Sequence, residues 1–231
     1  MLLYQEDDGF LFNSDSHYLY DFIAKLNPKG DLLDIGSGCG ILGLLIARDF
    51  KVDLTSIDIQ ENSTFLTSQN AKVNHIKCEA LCGDFLEYEF GKKFDYIVSN
   101  PPYYSSDVIK SENKKLFISR YEDNLELEKF IKKVKTLLKP RGHFIFCHDG
   151  KKIDVIFSLL SKNKLKPIGI RFVYGSDTKS SHLVFVHARS SSNSPVKIYP
   201  PLIATQNGKF SDEVVAIYQK TSTHSIKCKL C

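Results

Sequence analysis

From residue 32 to residue 160 the chain alternates short β-branched runs with stretches of helical spacing, and no other feature limits its fold as tightly. Strand-like runs stand at 32–35, 54–58, 76–82, 94–99 and 144–147. Interleaved with them, residues 41–49, 63–74, 125–138 and 153–160 carry apolar side chains at helical intervals. A chain that crosses over a helix before pairing again returns parallel to its first strand. Two further runs, 168–174 and 183–188, are joined by residues 175–181 with no helix between them, which predicts an antiparallel hairpin at one sheet edge. The expected fold is therefore α/β, a mainly parallel seven-stranded sheet with a terminal antiparallel hairpin and helices on both faces.

The flanks fit one domain. Asn13, Ser14, Asp15 and Ser16 form a cluster of possible helix caps before an apolar face at Leu19, Phe22, Ile23 and Leu26. Asn27, Pro28 and Gly30 then break the chain. Beyond the hairpin, residues 190–195 read as a linker, Pro200 and Pro201 as a second break, and Ser211 as the cap of a short last helix. Residues 1–30 are thus a lead-in, 31–189 a catalytic core and 190–231 a C-terminal extension of a single domain. The chain has 231 residues, enough to bury a core with no disulfide or metal staple.

Composition narrows the setting. There is no run of 18 apolar residues to span a membrane. The first residues turn acidic and lack the basic-then-apolar order of a signal peptide, so a cytoplasmic location is expected. Six cysteines are scattered mostly among apolar residues, where a free thiol behaves as a small hydrophobe. Cys228 and Cys231 form a CxxC, but His224 nearby does not complete a four-ligand zinc set, and no metal is expected. Charge is uneven: residues 1–150 hold 18 Lys+Arg against 23 Asp+Glu, and residues 151–231 hold 13 against 4. The basic third suggests a polyanion partner, or else a solvated surface.

Between the first strand and the first crossover helix lies DIGSGCG. Gly36, Gly38 and Gly40 permit a tight turn and close approach of a ligand to the backbone, beside free N–H groups of the next helix. Asp34 precedes the turn, Asp58 closes the second strand, and Asp84 with Phe85 follows the third. Ligands of open α/β sheets bind at the carboxyl ends of the strands, where an acid such as Asp58 meets a ribose diol. Asp84 is placed to accept from an adenine amino group, with Phe85 to cover the ring. Ile41 stands where a G-x-G-x-x-G fingerprint needs a third small residue, and no Walker lysine follows. The inferred ligand is a nucleoside with a zwitterionic tail, its ammonium near Asp34.

The fourth strand stops at SNPPYY. Proline cannot donate to a sheet ladder, so Pro101 and Pro102 end the strand at Asn100. The side-chain oxygen of Asn100 and the carbonyl of Pro101 are rigidly held acceptors suited to both protons of an NH2 group. Tyr103 can stack on the flat ring that bears the amine, a contact worth about 1–3 kcal/mol for a nucleobase.

DIGSGCG, Asp58, GDF at 83–85 and SNPPYY in this order resemble the motifs of class I S-adenosylmethionine-dependent methyltransferases of the amino-methylating type, over about residues 9–149. The resemblance implies a Rossmann-like fold, S-adenosyl-L-methionine as cofactor, and roles for the glycine turn with the methionine part, Asp58 at the ribose and Asp84 at the adenine, with Ile59 also counted among the cofactor-binding residues. DGFLFNSDSHYLYDFI and KIYPPLIATQNGKFSDEVVAIY are similar to bacterial tRNA(Val) adenine-N6 methyltransferases, which methylate the adenine adjoining the anticodon. That likeness implies a tRNA partner and puts Ser14 beside the cofactor, although Asn13 and Ser14 stand where glycine and threonine are expected.

The expected chemistry is displacement at a sulfonium methyl by an amine held at Asn100 and Pro101, driven largely by positioning. No general base is required, and His143 and His148, flanking the fifth strand, are expected to be structural. Residues 104–123 read as a lid over the substrate. Three other readings stand beside this one. They are methylation of a glutamine amide in protein, methylation of guanine N2 in rRNA, and a non-catalytic RNA-binding protein that retains the fold.

Overall fold

The computed structural model describes residues 1–7, 12–101 and 127–229. In chain order these form β1 (Leu2–Glu6), α1 (Ser14–Ala24), β2 (Gly30–Ile35), α2 (Ile41–Asp49), β3 (Val52–Asp58), α3 (Glu61–Val73), β4 (Cys78–Cys82) and β5 (Phe94–Ser99). After the undescribed stretch come α4 (Leu127–Leu137), β6 (Leu138–Asp149), α5 (Ile153–Lys162), β7 (Leu165–Ser176) and β8 (Ser181–Ser190). The C-terminal part adds β9 (Lys197–Ile198), β10 (Leu202–Gln206), β11 (Lys209–Phe210), α6 (Asp212–Thr221) and β12 (His224–Cys228).

One sheet runs in the order β11, β10, β7, β8, β6, β5, β2, β3, β4, with β9 against β7. Strands β2 to β6 pair parallel, and β8 is antiparallel to both β6 and β7. Two expectations are corrected. Among the described residues the sheet has ten strands rather than seven, because β9, β10 and β11 extend it. For the same reason the β7–β8 hairpin is not an edge: β8 lies inside it, and β7 is covered by β9 and β10. These three strands of two to five residues are too short to show periodicity of their own, and their pairing is decided by distant partners.

Both faces of the sheet are buried, as near-continuous apolar strands require. Leu32, Tyr96, Val98 and Ile145 pack under α1, α2 and α6, while Leu33, Ile97, Phe144 and Phe146 pack under α4 and α5. Neighbours in sequence thus point to opposite faces.

The C-terminal extension is fastened by charge as well as by apolar packing. Arg171 of β7, 4% exposed, makes a two-pronged pair with Glu213 of α6 at 2.7 Å and donates to the carbonyl of Pro200 at 3.0 Å. Arg48 of α2 donates to the terminal carbonyls of α6 at Thr221 and Lys220. The expected lead-in also holds a strand: β1 pairs parallel with β12, so the two ends of the described chain meet. The other edge of β1 is covered by Asn70 of α3 and by Asn74, which caps that helix one turn later. Their side-chain amides exchange hydrogen bonds with the backbones of Tyr4 and Leu2.

Candidate cofactor and substrate site

The carboxyl ends of β2, β3 and β5 bring the expected site together. Gly36, Gly38 and Gly40 all have positive φ, at 67°, 56° and 86°, a conformation costly to any residue with a Cβ. At Gly36 and Gly38 an added Cβ would meet nothing within 4 Å, so the backbone faces open space there. At Gly40 it would lie 2.9 Å from Thr67, so α3 packs directly against the turn. Thr67 donates to the carbonyl of Gly38 at 2.9 Å, and Asn70 to that of Cys39 at 2.8 Å. Neither residue was expected in the site. The available signal was two polar side chains three apart on one helix face, where burial requires a partner.

Asp58 is 8% exposed and accepts from Gly38 N–H at 2.8 Å and from Gln60 N–H at 2.9 Å. It thereby ties the end of β3 to the glycine turn and keeps further acceptor capacity on both oxygens. Burial raises its carboxyl above the ordinary value, against the pull of its backbone donors. Ile59 beside it is 57% exposed, an apolar surface at the rim of the turn. Asp84 is exposed, with one oxygen occupied by the N–H of Leu86 at 2.8 Å.

The structure moves two expected residues out of direct reach. Asp34 is 1% exposed and holds Gly43 N–H at 2.9 Å beneath the turn, so its side chain supports the loop rather than meeting an ammonium group. Burial, with a smaller push from the Asp58 charge, raises it to about 7. Phe85 is 5% exposed and packs edge-on to Phe130 at 5.3 Å; it is a core ring, not a cover for a ligand. Ser14 begins α1 and accepts from the Tyr218 hydroxyl of α6 at 2.7 Å.

Asn100 lies where β5 ends, its amide held by two elements remote in sequence. Nδ2 donates to Ser16 Oγ of α1 at 3.0 Å, and Oδ1 accepts from the thiol of Cys147 on β6. Cys147 is fully buried, and burial keeps its thiol well above the ordinary range, so it remains a protonated donor. By sequence Ser16 is one of several possible helix caps and Cys147 one of the cysteines among apolar residues; periodicity cannot reveal that both touch Asn100. Pro101 is buried, whereas Pro102, Tyr103 and the expected lid at 104–123 lie outside the described residues.

His143 stacks between Tyr96 and His187, with ring centroids 4.4 and 5.0 Å away, and its Nδ1 lies 2.8 Å from Nε2 of His187. Its place in the sheet is the amino end of the paired part of β6, far from Asn100. Among the described residues no three His, Cys, Asp or Glu side chains gather to hold a metal, and no helix is long and apolar enough to cross a membrane.

Parallel strands carrying a glycine turn, an acid and an amide at successive carboxyl ends define the Rossmann-like class I methyltransferase fold. A crystal structure of a predicted O-methyltransferase from Agrobacterium tumefaciens superposes with a TM-score of 0.68 at 15% identity, covering 92% of this chain and 99% of that one. The chain belongs to the methyltransferase small domain family, whose model matches residues 13–152. A tRNA1(Val) (adenine(37)-N6)-methyltransferase of Bacteroides thetaiotaomicron is 35% identical over 125 residues, 52% of this chain and 52% of the relative. One of Shewanella halifaxensis is 27% identical over 148 residues, 62% of this chain and 60% of the relative. The chain thus spans between half and two thirds of these relatives' length.

Proposed function

We propose that this protein transfers a methyl group from S-adenosylmethionine to the exocyclic N6 amine of adenine in RNA, with tRNA(Val), at the adenine adjoining the anticodon, as substrate. The observation that carries the reading is Asn100, an amide at the end of β5 on the same sheet edge as the glycine turn, with its orientation set by Ser16 and Cys147. The names of the related enzymes supply the nucleotide and the RNA.

The residues present suit the cofactor. The open backbone at Gly36 and Gly38 admits the methionine part, Asp58 retains acceptor capacity for a ribose diol, Ile59 offers an apolar face, and the free oxygen of Asp84 can take an adenine amino group. When bound, S-adenosylmethionine supplies a methyl on a positively charged sulfur, open to displacement by a nitrogen lone pair.

An adenine N6 is a poor nucleophile because its lone pair is delocalised into the ring. Asn100 Oδ1 and the Pro101 carbonyl accept hydrogen bonds from its two N–H groups, which favours a pyramidal amine with the lone pair turned toward the methyl; the methylated nitrogen then releases one proton to solvent. A carbonyl oxygen has two acceptor sites, so Oδ1 can keep the Cys147 thiol while accepting the amine. The target adenine must leave its stack to reach Asn100, which costs less in an RNA loop than in a duplex.

The test is labelled-methyl transfer to transcribed tRNA(Val), followed by mass spectrometry of its nucleosides. Labelled N6-methyladenosine next to the anticodon is expected. Label in guanine, or in a protein glutamine amide and not in RNA, would overturn the assignment.

A further inference from the structure

A group of basic residues lies on the sheet edge away from the glycine turn. Lys164 and Lys166 flank the start of β7, Arg189 ends β8, and Arg141 sits in the irregular start of β6. The antiparallel register sets Lys166 opposite Arg189, and the Arg189 guanidinium donates twice to the Arg141 carbonyl, at 3.1 and 2.9 Å. All four belong to the amino end of the sheet, one strand length from Asn100, or about 20 Å for six residues.

Several acids of that edge are already paired with other lysines. Lys139 pairs with Asp31 and Asp95 at 2.7 Å, Lys92 approaches Asp31 at 3.5 Å, and Lys162 pairs with Glu128 at 2.5 Å. Arg141, Lys164, Lys166 and Arg189 have no carboxylate partner among the described residues. Like charges directly across two strands destabilise a sheet, so the Lys166–Arg189 pair works against folding unless something anionic covers it. The Arg189 charge also adds to burial in holding His143 and His187 below their ordinary range. Lys164 and Arg141 moreover occupy left-handed backbone, φ 56° and 62°, where glycine or asparagine would be easier.

We infer that Arg141, Lys164, Lys166 and Arg189 form a second RNA contact that grips phosphodiester backbone remote from the methylated base. The inference rests on the RNA reading above and names a surface for it. Guanidinium groups suit phosphate oxygens, and phosphate contacts position an RNA without reading its sequence. A nucleoside or a single loop at Asn100 cannot reach this edge; a folded RNA longer than a strand can. Lys162, whose charge Glu128 already meets, is not part of the surface.

The experiment measures binding of full-length tRNA and of a single-stranded anticodon-loop heptanucleotide over a range of salt, for wild type, for Lys164→Glu/Lys166→Glu and for the milder Lys164→Gln/Lys166→Gln. Calorimetry with S-adenosylmethionine checks that each variant keeps its cofactor site. For full-length tRNA the charge-reversed pair is expected to lose about tenfold or more in affinity, with a log–log salt slope shallower by about 2, since each lost phosphate contact removes about 0.9. Loop-oligonucleotide and cofactor affinities are expected to stay as in wild type. Equal losses for both RNAs would overturn a remote contact. Unchanged affinity and slope in both variants would also overturn it, leaving an acidic protein as the counterpart of the cluster. Wild type that binds cofactor but neither RNA would overturn this inference and the RNA reading together.

Discussion

The glycine turn after β2 and the Asn100 turn after β5 end adjacent parallel strands, yet they are held in different ways. The glycine turn is backbone geometry: positive φ at three glycines, with Asp58, Thr67 and Asn70 bonded to its main-chain groups and Asp34 bonded to Gly43 N–H in the first turn of α2. The Asn100 turn presents one side chain, oriented from outside by Ser16, 84 positions away, and Cys147, 47 positions away. The first arrangement makes a surface that a ligand can lie against. The second aims a single pair of lone pairs, so its accuracy depends on how α1 and β6 pack. Cofactor binding and turnover should therefore respond to separate sets of residues.

Asp58→Ala should break the first region most strongly. It removes the link between β3 and the turn as well as the acceptor assigned to the ribose, and roughly 1.5–3 kcal/mol is typical for hydrogen bonds to a charged group. Calorimetry should show S-adenosylmethionine affinity down by about ten- to a hundredfold, and unchanged affinity would leave Asp58 a strand end only. Asn100→Ala is the complementary break. Turnover should fall at least about tenfold, near 1.4 kcal/mol in the barrier, with cofactor affinity nearly unchanged. Near-normal turnover would remove Asn100 from the mechanism.

A finer comparison is offered by Cys147. Valine fills the site without donating and should lower turnover about threefold to fivefold, the scale of one neutral hydrogen bond, at constant cofactor affinity. Cys147→Ser restores a donor and should recover most of that loss. If serine and valine behave alike, the thiol packs without positioning Asn100.

The smallest effect concerns stability. Asp34 is raised from its unfolded value near 3.8 to about 7, so the folded state holds a proton that the unfolded state has released. Its contribution is fully present below pH 3.8 and is lost as pH rises through about 7. Asp34→Asn keeps an acceptor for Gly43 without this loss. At pH 8 its Tm should exceed that of wild type by about 2–4 °C, the shift expected of roughly 1 kcal/mol at this chain length. A lower Tm at pH 8 would mean that the buried charge is needed by the folded state.

Much of this arrangement is local and was legible in the amino-acid order. Alternating periods of two and 3.6, caps at Asn13 and Ser211, and breaks at glycine and proline mark most elements to within a few residues, because each arises from neighbouring side chains and backbone angles. DIGSGCG and SNPPYY likewise announce turns whose shapes their own residues enforce. Tertiary structure alone decided that Asp34 and Phe85 are sequestered, and that Ser16 and Cys147 aim Asn100. It alone decided that β1 meets β12, and that Lys166 stands opposite Arg189 at the edge away from the glycine turn. Pairing order and register depend on contacts between residues far apart in the chain, where loop closure and the burial of whole faces outweigh any local preference.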